Sequence, residues 1–110
     1  MTNAAKRKGD VAELEVAALI HELNGWPARR KLGAGRLDDT GDIDGVPDTT
    51  IQVANWADAL RAVRNKPLEA QVQATHAGTL HAAAFIRLRG GVWRVVLTPD
   101  QWATYDRERL

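Results

Sequence analysis

The sequence predicts one α/β domain of order αβββαββα, a mixed central sheet flanked by helices, and three observations predict it. Apolar residues recur at helical spacing up to Asn24-Gly25, and a second helical region follows from about Asp58 to His76. Pro47-Asp48 and Gly90-Gly91 are turn signals, and each separates two strand-like segments. Thr98-Pro99 opens a last short helix, with Thr98 as its cap and Pro99 at the first helical position. A chain of 110 residues is long enough for one core and too short for two, so residues 1–110 are read as one domain.

The elements follow in order. In the first helix Val16, Leu19, Ile20 and Leu23 form one apolar stripe, and Gly25 stops it. Gly9 costs about 1 kcal/mol relative to Ala inside a helix, so the regular part is expected to begin at Asp10. Trp26 to Leu32 reads as a strand that Gly33-Ala34-Gly35 breaks. Asp42 to Val46 and Thr49 to Asn55 make a hairpin. The second helix is expected to be interrupted near Pro67, which cannot donate the helical hydrogen bond. Thr79 to Arg89 and Val92 to Leu97 form the second hairpin.

Hydrophobic residues at 45% and charged residues at 26% are ordinary globular values. No apolar run approaches the roughly 20 residues that span a bilayer, and the first residues lack an apolar secretory core, so a cytoplasmic protein is expected. Without cysteine there is neither a disulfide nor a thiolate zinc site, and without serine there is no serine nucleophile. His21, His76 and His81 match no metal-ligand spacing and read as packed or surface residues. The net charge of +1 hides an uneven layout. Residues 1–37 hold seven bases against four acids, residues 38–48 hold five Asp and no base, and the remainder holds eight bases against five acids. Such a layout suits an acidic metal centre between phosphate-holding surfaces, but charge alone favours a solvated Asp-rich loop on a mixed-charge surface.

Period 2 decides which side chains of the acidic segment meet. Asp42 and Asp44 share one face, as do Thr50, Gln52 and Ala54. A two-residue turn at Pro47-Asp48 puts Asp42 and Gln52 on opposite faces, whereas a three-residue loop from Val46 to Asp48 pairs them. A metal site here therefore requires the longer loop, or a bulge at Gly45. Glu13 lines up with Val16, Ala17 and Ile20 and leans toward the buried side of its helix. It is a candidate third oxygen ligand beside Asp42 and Gln52, in the oxygen-only set that Mg²⁺ or Mn²⁺ prefers. The alternative is that Asp10 caps the helix and Glu13 reaches back to it.

Lys8-Gly9 followed by Glu13, Arg30 before Gly33-Ala34-Gly35, Gly41-Asp42-Ile43, and Ile51-Gln52-Val53-Ala54-Asn55 occur in one order along the chain. From about residue 6 to residue 97 this resembles the PD-(D/E)XK nuclease superfamily, and within it the Holliday junction resolvases of archaea and their phage-encoded relatives. The resemblance implies a restriction-endonuclease-like fold, a homodimer, branched DNA as partner and divalent metal as cofactor. It implies a structure-specific endonuclease in which Glu13, Asp42 and Gln52 hold the metal and a lysine assists the attacking water. Ala54 stands where the family has that lysine, and Gln52 where it has an acid. Lys31, at the end of the first strand, and Lys66, on the second helix, are the candidate replacements.

Basic residues complete the expectation. Lys6, Arg7 and Lys8, then Arg29, Arg30 and Lys31, with Arg36, are placed to follow a DNA backbone. With a two-residue loop at Gly90-Gly91, Arg87 opposes Arg94, a like-charge pair that asks for an anion. Two other readings stand beside the nuclease: a catalytically inactive descendant of the fold that binds DNA or inhibits a host protein, and an unrelated α/β interaction module.

Overall fold

A computed structural model describes residues 3–31 and 40–109. The elements are α1 (Asn3–Asn24), β1 (Arg29–Arg30), β2 (Ile43–Asp44), β3 (Thr49–Ala54), α2 (Ala59–Ala77), β4 (His81–Leu88), β5 (Val92–Val96) and α3 (Pro99–Arg107). The order αβββαββα expected from the sequence is the order observed. The five strands form one open sheet in chain order, antiparallel except where β3 and β4 run parallel. A parallel neighbour needs a crossover, and α2 supplies it.

Strand periodicity splits the core into two layers. On one face Ala12, Val16, Ala17 and Ile20 of α1 pack on Ile43, Ile51 and Val53, with Phe85 beside them. On the other, Ala62 of α2 packs with Ala54, Ala84 and Ile86, and Ala70 and Ala74 pack with Ala82. Successive residues of β3 and β4 therefore face different helices, with α1 and α2 on opposite sides of the sheet. The many alanines bring α2 close to the strands, so what it can offer from that side is confined to a few long side chains.

Four local expectations change. α1 starts at Asn3 and runs through Gly9, spanned by the Lys6–Asp10 ion pair at 2.9 Å one turn apart, so Asp10 is no helix cap. Its buried stripe is Ala12, Val16, Ala17 and Ile20, and Leu23 is 72% exposed. α2 continues through Pro67, because packing of its alanine face outweighs the lost backbone bond. The β4–β5 loop takes three residues, with Gly90 and Gly91 both at positive φ (82° and 76°), which only glycine adopts freely. This shifts the register by one: Arg87 pairs with Trp93 and Arg94 with Ile86, so the expected Arg87–Arg94 pair does not form.

The helix ends follow the sequence signals. Asp58 caps α2 by accepting from Arg61 N at 3.0 Å, Gly78 ends it in the left-handed conformation, and Thr98 with Gln101 forms a capping box on α3. Among the described residues no helix is long and apolar enough to cross a membrane.

Candidate functional site

The β2–β3 hairpin has the register a metal site would require. Ile43 pairs with Ile51, which leaves Val46 to Asp48 as a three-residue loop with Asp48 at φ 51°. Asp42 is thereby carried to the level of Gln52. There the ladder slips by one residue: Asp42 N donates to Ile51 O at 2.8 Å, and Asp42 Oδ2 accepts from Val53 N, also at 2.8 Å. The carboxylate is thus fixed by the backbone of the neighbouring strand, one residue from Gln52.

Gln52 is 2% exposed and points to the α2 side. Its Nε2 donates to Gln73 Oε1, and its Oε1 accepts from Lys66 Nζ at 3.2 Å. The Lys66 side chain is 14% exposed; its ammonium also meets Glu69 at 3.3 Å and lies 4.9 Å from the centre of the Trp56 ring. Of the two lysines considered as replacements, Lys66 reaches Gln52. Lys31 sits beside Asp42 through its backbone, donating to Asp42 O at 2.9 Å, while its Nζ turns to Thr40 O at 3.5 Å.

Glu13 is partly buried, as its place on the helix predicts, but on the α1 side of the sheet. There Arg30 holds it, with Nε 3.1 Å from Glu13 Oε1 and a terminal nitrogen 2.8 Å from Asp10 Oδ1. Glu13 and Gln52 therefore lie on opposite sides of the sheet, and the expected three-ligand set is not assembled. The capping alternative fails as well, since both acids serve Arg30 in mid-helix. Hydrogen bonding from Lys6, with Arg30 nearby, holds the Asp10 carboxyl below the usual carboxylate range against the opposing effect of burial. Among the described residues no group of three His, Asp or Glu side chains could hold a metal ion.

What remains is one fixed carboxylate and one amide oxygen on adjoining strands. Mg²⁺ is commonly bound through one or two carboxylates with waters and substrate phosphates, whereas here the Gln52 amide is already engaged at both ends by Gln73 and Lys66. Asp42 and Gln52 do not form an all-protein cage.

The basic residues divide by use. Arg30 is consumed by Asp10 and Glu13; Arg29 pairs with Asp44 at 3.1 Å; Arg87 reaches Glu15 at 3.7 Å. Lys6 is tied to Asp10, while Arg7 and Lys8 are exposed on α1. Arg94 is exposed and turns back to Trp93 O at 2.8 Å. Arg36 lies outside the described residues. Sequence reasoning reads Trp56 as a core or interface anchor with part of its ring exposed, and misses Gln73, Arg61 and Arg64; the available signal was a tryptophan two residues after β3 followed by cations five and eight residues later.

No family model, curated protein or solved structure matches the chain.

Proposed function

We propose that this chain acts on branched DNA as a PD-(D/E)XK-like, metal-dependent endonuclease whose lysine has moved from the strand to α2. The observation that carries this is Lys66 Nζ, 3.2 Å from Gln52 Oε1 and largely shielded from water, at the residue where the signature acid would stand. It supplies from α2 the positive charge that Ala54 cannot.

Asp42 and Gln52 would hold Mg²⁺ or Mn²⁺, which when bound supplies an activated water and stabilises charge on the phosphate oxygens. The chain's own contribution is positional. The Val53 N–H fixes the Asp42 carboxylate, and Gln73 fixes the Gln52 amide with its oxygen toward Lys66. The ammonium of Lys66 offsets negative charge at the phosphate, where a water-poor setting strengthens it. Exposed Arg7 and Lys8, with Lys31, would hold the backbone beyond the site. Paired strands at a junction call for two copies, so the working unit is a homodimer in the cytoplasm.

A second reading, DNA binding without cleavage, is favoured by Glu13 being held by Arg30 on the far face of the sheet. One assay separates the two: purified protein with a synthetic four-way junction and a linear duplex, in Mg²⁺ or Mn²⁺. Junction cleavage that disappears in Asp42→Ala and falls by about 10² to 10⁴ in Lys66→Ala supports the enzyme. Junction binding without product selects the second reading, and no junction preference overturns both.

A further inference from the structure

We propose that Trp56 and Arg61, with Arg64 beside them, form a subsite for an unpaired nucleotide of the DNA strand next to the Gln52–Lys66 centre. This rests on the reading above and extends it from the reacting phosphate to its neighbour.

Trp56 follows the end of β3 and is half-buried, its inner part packed against the Ala54, Ala62, Ala84 and Ile86 cluster. Two cations attend its ring: Lys66 Nζ at 4.9 Å and the Arg61 guanidinium carbon at 5.7 Å from the ring centre. Since Lys66 also donates to Gln52, a single side chain connects the aromatic ring to the candidate centre. Arg61 lies in an open depression with Trp56, Ala57 and Asp58.

The use of charge here differs from that on the opposite face of the sheet. Arg30 and Arg87 are spent on carboxylates within the fold, whereas among the described residues the Arg61 and Arg64 guanidinium groups meet none. Both are exposed, and they stand three residues apart near the start of α2, where like charges repel and the helix dipole disfavours cations. Folding gains little from them in that place. An aromatic face beside arginines that meet no carboxylate is an arrangement that suits single-stranded nucleic acid, the base stacking on the ring and the phosphate meeting the guanidinium groups. A fully paired duplex keeps its bases stacked on one another and has no use for the indole. A branch point, where bases come unpaired, does.

The test is equilibrium binding to labelled oligothymidylate, to a forked duplex and to a fully paired duplex, without divalent cation so that no strand is cut. The variants are Arg61→Gln/Arg64→Gln, on the surface, and Trp56→Leu, which keeps apolar bulk and removes the ring. Each should weaken binding of oligothymidylate and fork by about tenfold, and of the paired duplex by no more than about twofold. If Trp56→Leu does not fold, the double arginine variant decides alone. Unchanged binding, or equal losses on paired and unpaired DNA, overturns the subsite. Junction cleavage by wild-type protein is scored separately, so the subsite can fail while the proposed activity stands.

Discussion

Arg30 on β1 and Glu13 on α1 are joined across the sheet edge, Nε to Oε1 at 3.1 Å, with both side chains mostly withdrawn from water. β1 has only two residues, so this contact ties it to the helix that covers it. Replacing Arg30 by Leu leaves the Glu13 carboxylate partly buried with its donor gone, which costs about 1–3 kcal/mol. Chemical denaturation should show that loss for Arg30→Leu and a smaller one for Glu13→Gln, whose amide oxygen still accepts. Equal stability of wild type and Arg30→Leu would mean that the contact contributes nothing to holding β1.

Gln52→Glu places an acid beside the Lys66 ammonium. The new carboxylate would stand where Lys66 donates at 3.2 Å, and the Gln73 amide can turn to donate as well, so its buried charge has partners. Beside Asp42 it adds the negative charge that a neutral amide withholds from a divalent cation. Mn²⁺ affinity measured by calorimetry should rise at least about tenfold, and junction cleavage should rise with it. A variant that folds normally yet binds Mn²⁺ no better would sink the placement of the metal at Asp42 and Gln52.

Some of this was legible in the sequence and some could not be. The hairpin register is legible as a condition: either a loop from Val46 to Asp48 or a bulge at Gly45 brings Asp42 level with Gln52, and the loop is the one formed. Gly90-Gly91 was legible as a turn but not in its length, because two glycines at positive φ permit a three-residue loop as readily as a two-residue one. That single step removed the Arg87–Arg94 pair. Local propensity at Pro67 points to an interruption because it leaves out the alanine face that holds α2 to the sheet. Helical spacing puts Glu13 on the buried side, yet its partner lies seventeen residues away on another element. Helical periodicity gives the face a residue takes, not which charge waits there.

Tyr105 stacks on His81 with ring centres 4.0 Å apart, and His81 in turn meets Glu108 at 2.8 Å. Burial raises the Tyr105 hydroxyl above its ordinary value of 10.0, with a hydrogen bond to Thr49 opposing and Glu108 adding to the shift. A folded pKa above the unfolded one gives stability that is complete below the unfolded pKa and is lost as pH rises through the folded pKa. Wild type should therefore lose stability above about pH 10, a loss that Tyr105→Phe, which keeps the stack, lacks. Denaturation at a series of alkaline pH values checks this. Parallel curves for the two proteins would show that the hydroxyl is not buried as described.

Gly45 sets the hairpin that carries Asp42, and it does so with φ at 89° while its α-carbon faces Pro27. A side chain there meets two obstacles. The backbone conformation disfavours any L residue, and a β-carbon would run into the Pro27 carbonyl, which is main chain and cannot swing aside. Gly45→Ala should cost about 2 kcal/mol or more, from strain and from pushing β1 off β2. Because Asp42 is held through that hairpin, the variant should also lose junction cleavage beyond what its remaining folded fraction explains. Gly78→Ala is the control, since it shares a positive φ of 72° but finds open space around its β-carbon. It should lose about 1 kcal/mol and keep its specific activity. If the two variants lose stability equally, the approach of Pro27 is not what Gly45 accommodates; if Gly45→Ala keeps full specific activity, the hairpin does not position the reacting centre.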